Sequence, residues 1–339
     1  MAKRARDLSL TLHIGLHKTA TSYVQNLWDA RRYDLMRAGV LYPVTGTTIP
    51  YGVNTRDGAQ SGQTLFTRPG DRSALVAELL EEVPPSVSNV LLSAEDFSLP
   101  DRMSAEDAVG QLATFGSVKV VLVLRRQDTW VESLYKQLVD QFLNYETRSF
   151  DTFLAERGPL LLDFHARFSP WRELVGPENF HAISYDDVAG GAAISDQILR
   201  IAGLRAPLPE APADQSVPRY ESVRAVDTIG LRVLNGYRLA TREMRNRTAR
   251  RIYDVAPAGD IALMTDEMRA GIQQICAPVN ERIEAEWFTE PVPGLRFGKP
   301  VKTPTCAEPT TAEMIDYLDQ VIALCEDARR FEVDQAPLP

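Results

Sequence analysis

Cysteine is scarce in this chain. The three present, Cys276, Cys306 and Cys325, are an odd number spread over 339 residues. That spacing excludes a disulfide framework and fits no paired-cysteine metal pattern. Reduced thiols and a cytoplasmic location are the expectation. Long apolar runs are also missing. No stretch approaches the roughly 18 residues a spanning helix needs, so no membrane span is expected. A basic surplus is missing too: the net charge is −9, and a general nucleic-acid binder carries a positive field. No internal repeat and no low-complexity segment is visible. What remains is an ordinary globular composition, 44% apolar and 24% charged, long enough for one large domain or two small ones. The opening Met-Ala-Lys-Arg-Ala-Arg is basic like a signal peptide. The apolar segment after it is short and broken by His13, and it reads as a first strand instead.

That strand leads into the most informative stretch, Leu10 to Trp28. Leu10, Leu12 and Ile14 alternate, as a strand aimed into a core does. Gly15 ends the strand. Lys18, Thr19, Thr21 and Ser22 follow, just before a helical pattern of Val24, Leu27 and Trp28. A helix start exposes free N–H groups and a partial positive charge. One ammonium and three hydroxyls beside it suit an anion, most naturally a phosphate. The loop lacks the glycine that precedes the lysine of a Walker A motif. An exposed lysine on an ordinary turn would look the same on spacing alone.

A second stretch bears on the first. Val120 to Leu124 reads as a strand buried on both faces, the signature of a parallel sheet. Arg125 and Arg126 stand at its C-terminal end, where open α/β sheets bind ligands. A helix begins near Asp128, and Ser133 lies eight residues after Arg125.

Together the two stretches resemble the PAPS-dependent sulfotransferases, with a pattern most like the bacterial carbohydrate-type enzymes. In that family a P-K-[ST]-G-[ST]-[ST] loop grips the 5′-phosphosulfate, and R-x-P-x-D-x-x-x-S grips the 3′-phosphate. This chain offers His17-Lys18-Thr19-Ala20-Thr21-Ser22 for the first, and Arg125 with Ser133 for the second. It departs at Ala20, where glycine is usual, at Gln127, where proline is usual, and at Thr129, with Asp128 one place early. The resemblance implies a P-loop-like parallel sheet flanked by helices, with PAPS as donor, PAP as product and no metal. It implies Lys18 as the leaving-group stabiliser. It implies His17, Thr19, Ala20, Thr21, Ser22, Tyr23, Arg125, Ser133 and Tyr185 around the donor. The acceptor would be a hydroxyl, less readily an amine, on a carbohydrate or other small molecule, with no nucleic acid involved. Oligomeric state is left open.

The base is open as well. Sulfuryl transfer is an in-line displacement, so the acceptor must lose a proton while charge builds on the leaving phosphate. Glu95 follows the strand Asn89–Ser93, where family members carry a histidine or a glutamate. It is the first choice as base, with pairing to Lys18 or Arg125 as its alternative role. His17 and Asp57 are the other candidates. Tyr185-Asp186-Asp187 resembles a Tyr-Glu-Asp segment whose tyrosine lies near the adenine. His13 reads as a hydrogen-bonded core residue, and His165 and His181 have no motif around them.

Along the chain, strands and helices alternate to about residue 205, and only helices follow. The reading is a single sulfotransferase domain, 8–205 an α/β core and 206–339 a helical cap. One helix is expected from Thr21 to Ala38, and one from Tyr220 to about Tyr253. A third runs from Thr265 to Trp287, kinked at Pro278, and a fourth from Thr311 to Phe331. Val40 to Gly70 lacks periodicity, as a functional loop or a surface excursion does; the resemblance implies that it covers the active site, with Arg56 and Asp57 as reactive candidates. Arg238, Arg242 and Arg245 would share one helical face, either a solvated surface or a site for an anionic acceptor. Two rival readings stand: a nucleotide kinase using ATP and Mg²⁺, and a non-catalytic protein of the same fold.

Overall fold

The computed structural model describes residues 5–47, 62–68, 72–99, 104–112, 114–142, 144–188, 190–205, 208, 223–288 and 307–335. Among these are five strands: β1 (Ser9–His13), β2 (Val40–Leu41), β3 (Asn89–Ser93), β4 (Ser117–Leu124) and β5 (Phe180–Ser184). All pair in parallel, in the order β2-β3-β1-β4-β5. The expected α/β architecture, a parallel sheet flanked by helices, is what the chain builds.

The helices are α1 (Thr21–Ala30), α2 (Arg32–Arg37), α3 (Ser73–Glu82), α4 (Ala105–Leu112), α5 (Gln127–Asp140) and α6 (Phe150–Leu161). After them come α7 (Phe164–Val175), α8 (Gly191–Ile201), α9 (Ala225–Tyr237), α10 (Arg242–Val255), α11 (Asp266–Trp287) and α12 (Thr311–Gln335). The chain divides into two compact units. The first holds residues 1–126, 163–220 and 277–299, and the second holds 127–162, 221–276 and 300–339. All five strands belong to the first unit; α5, α6, α9, α10 and α12 belong to the second.

The sheet is buried on both faces. On one, Val24 and Trp28 of α1 and Ile194 and Ile198 of α8 pack on Leu91, Val121 and Val123. Thr11 and His13 lie on that face as well, and Trp28 meets the His13 ring edge-on. Leu10 and Leu12, in register with Val118 and Val120, lie on the opposite face, where α7 packs on β4 and β5. The Leu10/Leu12/Ile14 alternation therefore understates the burial of β1: Thr11 and His13 are as deeply enclosed.

Two long helices expected from the sequence are each two. The first breaks at Arg31 (φ −120°, ψ 21°) without a glycine or proline. Tertiary contacts supply the reason. Arg32 pairs with Asp29 at 2.6 Å, donates to the Tyr42 carbonyl at 2.5 Å and lies over the Tyr42 ring. The second ends at Arg238, which adopts φ +49°, and restarts at Thr241, whose hydroxyl caps α10 by accepting the Met244 N–H. The short edge strand β2 has only two residues and so carries no periodic signal in the sequence.

Candidate active site

In this strand order β2 and β3 lie on one side of β1, and the chain then crosses to place β4 and β5 on the other. The crevice between the C-terminal ends of β1 and β4 is thus the point where the winding reverses, the usual ligand position in open α/β sheets. The loop after β1 carries Lys18, and the residues after β4 are Arg125 and Arg126. The two meet: Nη1 of Arg125 donates to the main-chain oxygen of Lys18 at 3.0 Å.

The loop is built tightly. Ile14 N–H bonds to Val121 O, continuing the β1–β4 ladder by one residue. A side chain at position 15 would place its Cβ 2.5 Å from Nε2 of His13, so Gly15 is required by close approach. Lys18 and Ala20 then take the left-handed conformation, at φ +65° and +63°. Such backbone strain in non-glycine residues gathers at functional sites. Successive N–H groups in such a tight turn can converge on one point, an anion-binding arrangement. The first bond inside α1 is Val24 N–H to Ala20 O. The N–H groups of Thr21, Ser22 and Tyr23 accordingly have no acceptor within the helix.

The threonine hydroxyls bond within the loop. The Thr19 hydroxyl donates to Leu16 O at 2.6 Å, and Thr21 lies 3.3 Å from the same oxygen. Both are buried and hold the loop closed. Ser22 and Lys18 are half-buried.

Glu95 follows β3 after the single residue Ala94 and opens a short 3₁₀ turn (Glu95–Ser98). It is buried, and burial pushes its carboxyl up to about 7. The Thr21 hydrogen bond opposes that rise, Asp96 adds to it and Lys18 opposes it again. Nε2 of His17 stands 3.4 Å from Oε2 of Glu95 and 3.9 Å from Oδ1 of Asp96. His17 thus faces the carboxylates.

On the other flank, the Arg125 guanidinium lies over the Tyr185 ring at 5.1 Å, within cation–π range. Its Nε is buried without a hydrogen-bond partner. Tyr185 N–H bonds to Leu124 O, and Asp186 Oδ2 accepts the Arg126 N–H at 2.8 Å. Burial raises the Asp186 carboxyl, against the pull of that N–H and of both arginines. The Tyr23 ring packs close over Gly191, where a Cβ would lie 2.4 Å from its Cδ1. Tyr23, Tyr185 and Ala20 are half-buried against the same core. Lys18, Glu95, Arg125 and Tyr185 are all in the first unit. Ser133 is half-buried on α5, which belongs to the second.

A buried polar cluster under the loop was not read from the sequence. His13 Nδ1 lies 2.8 Å from the Ser93 hydroxyl, and Gln25 Nε2 donates to that hydroxyl at 3.0 Å. Gln63 exchanges two bonds with the Ser93 backbone, its N–H to Ser93 O and its Oε1 from Ser93 N–H. Its Nε2 also donates to Pro43 O. Lone glutamines and serines carry no motif, so only the fold assembles them. Gln63 returns the Val40–Gly70 excursion to the end of β3. Arg56 and Asp57 lie outside the described residues.

The arginine run is not one face. Arg238 ends α9, whereas Arg242 and Arg245 are on α10. Arg245 is buried and donates to Val139 O at 3.0 Å, beside Asp140. Arg247 pairs with Glu243. Among the described residues no cluster of three metal-ligating side chains occurs, and no helix is long and apolar enough to cross a membrane.

No family model matches the chain, and no curated protein matches it. Among solved structures it is similar to a sulfotransferase from Alicyclobacillus acidocaldarius. That match has a TM-score of 0.43 and 16% identity, and it covers 81% of this chain and 94% of the other.

Proposed function

We propose that this chain is a PAPS-dependent sulfotransferase acting on a hydroxyl acceptor, a carbohydrate before an amine. The observation that carries the reading is the joining of Arg125 to the Lys18 loop at the switch point of the sheet, with the buried Glu95 carboxyl beside that loop. Two cationic groups, a set of helix-start amides with no acceptor in the helix, and the Tyr185 and Tyr23 rings suit an adenine nucleotide with two separate phosphate groups. Arg125 would hold the 3′-phosphate, and the amides after Lys18 the 5′-phosphate. Ser133 enters only through the motif.

In this reading Lys18 follows the negative charge that develops on the leaving phosphate. A preorganised donor of this kind supplies ~3–4 kcal/mol, so Lys18→Ala lowers the rate ~10²–10³-fold. Glu95 accepts the acceptor proton, a contribution of ~10²–10⁴-fold.

The first experiment is thermal unfolding with PAP, and separately with ATP and Mg²⁺. A ligand at ~100 times its dissociation constant adds ~2.7 kcal/mol to the folded state. A PAP shift that disappears in Arg125→Ala supports the donor site and justifies an acceptor screen. A shift with ATP and Mg²⁺ alone moves the reading to a kinase. No shift with either favours a non-catalytic protein.

A further inference from the structure

His17 is the feature of the loop that donor binding leaves unexplained. It sits next to Lys18, yet its ring is buried and one nitrogen, Nε2, serves two carboxylates, Glu95 at 3.4 Å and Asp96 at 3.9 Å. The Glu95 side chain is 5% exposed and that of Asp96 30% exposed. The imidazole therefore touches both a carboxylate sealed inside the site and one that reaches water. A buried carboxyl on its own favours the neutral acid, which cannot serve as a base. A cation held against it favours the carboxylate. The charged groups that bear on Glu95 include Lys18, on its favourable side, and Asp96, on its unfavourable side. Once a phosphate engages Lys18, that favourable charge is shared with the ligand, and Glu95 needs another.

We infer that His17 is the imidazolium partner of Glu95, a positioning residue that keeps the carboxylate ionised and passes its proton outward to Asp96. This rests on the sulfotransferase reading for its purpose, though not for its test. The step balances as follows. The acceptor O–H breaks and its proton forms a bond to a Glu95 oxygen, while the acceptor oxygen bonds to sulfur, the bond from sulfur to the bridging phosphate oxygen breaks, and PAP leaves with that electron pair. The imidazolium then gives its Nε2 proton to Asp96. The freed Nε2 lone pair takes the proton from Glu95. Glu95 ends as the carboxylate, His17 as the imidazolium, and one proton leaves through Asp96 to solvent.

The test is nitrogen-15 NMR of the histidine rings in the ligand-free protein between pH 5 and 9. Imidazolium and the neutral tautomers have distinct ring-nitrogen shifts. The chain has four histidines, and His17→Gln assigns the signal. The expected result is a His17 that is doubly protonated at pH 7. In Glu95→Gln its midpoint should fall by about 1–3 pH units, the effect of losing an opposite charge at this range. A neutral His17 at pH 7, or a midpoint unmoved by Glu95→Gln, overturns the inference. The wild-type spectrum decides the first point even where Glu95→Gln does not fold. Thermal shift with PAP is run alongside. Loss of the PAP shift in the wild type would sink the donor reading while leaving the histidine titration to be judged by itself.

Discussion

Arg125 Nη1 donates to the main-chain oxygen of Lys18 at 3.0 Å, so the end of β4 holds the loop that follows β1. The same guanidinium lies over Tyr185, at the end of β5. One planar side chain thus ties three strand ends together. Lysine cannot replace it, since an ammonium has neither the fork nor the flat face. Arg125→Lys should weaken PAP binding about tenfold or more by calorimetry, despite the kept charge. Tyr185→Phe keeps the ring and should change little. Tyr185→Leu removes a contact worth ~0.5–2 kcal/mol. Equal PAP affinity in Arg125→Lys and wild type would show that charge alone matters.

Ala20 holds φ +63° at the start of α1. An L-residue with a Cβ loses ~1–2 kcal/mol there. Glycine escapes that strain but adds ~0.5–1 kcal/mol of chain entropy to the unfolded state. Ala20→Gly should therefore stabilise the protein by roughly 0.5–1 kcal/mol, read as a higher urea midpoint with an unchanged slope. Ala20→Val should be clearly destabilising. A lower midpoint for the glycine variant would mean that the Ala20 methyl, which packs on the core beside Tyr23, outweighs the backbone term.

Asp186 accepts the Arg126 N–H at 2.8 Å and so fixes the turn that aims Arg125. Asp186→Ala leaves a buried amide without its partner, at ~1–3 kcal/mol. Stability should fall by that amount, and PAP affinity with it, because the turn carries the guanidinium. Asp186→Asn retains an acceptor oxygen and should recover most of both. An alanine variant that binds PAP like wild type would separate this turn from the donor site.

A base at Glu95 must be ionised, and burial pushes its carboxyl up to about 7. The rate should rise with pH through about 7, then level. In Glu95→Gln the rate should be ~10²–10⁴-fold lower with that limb gone, while the PAP-induced thermal shift persists. If Glu95 and His17 are coupled, the midpoint belongs to the pair. A limb retained in Glu95→Gln would assign the base elsewhere.

The parallel sheet was legible because Val120–Leu124 is a continuous apolar run and Leu10–Ile14 leads into a loop of distinctive chemistry. Lys18, Arg125 and Glu95 were legible as candidates because each sits at a strand end, where the chemistry of an α/β protein collects. What was not legible depends on contacts distant in sequence. Arg31 breaks a helix because Arg32 reaches Tyr42. Thr19 closes its own loop, and His17 faces a carboxylate some eighty residues later. Residue type suggests a hydroxyl or an imidazole, but which way it points is decided by the fold. The polar cluster of His13, Gln25, Gln63 and Ser93 is the clearest case, since it joins four separate segments and matches no local pattern.

That cluster has a measurable consequence. His13 is fully enclosed, and burial lowers its pKa to about 3. An unfolded histidine titrates near 6.5. Between those two values the unfolded chain binds a proton that the folded protein refuses, so stability falls as pH falls. The contribution is complete above about pH 6.5 and is lost progressively toward pH 3. By pH 5 the loss is ~2 kcal/mol, from 1.5 units at about 1.4 kcal/mol each. His13→Asn can keep a hydrogen bond to Ser93 and has no proton to gain. Urea unfolding of both proteins at pH 7.5 and pH 5 isolates the difference. The wild type should lose ~2 kcal/mol more than the variant over that interval. An equal loss would mean that His13 takes up its proton without unfolding the site. Nε2, buried without a partner and aimed at Gly15, would then carry that proton directly beneath the loop.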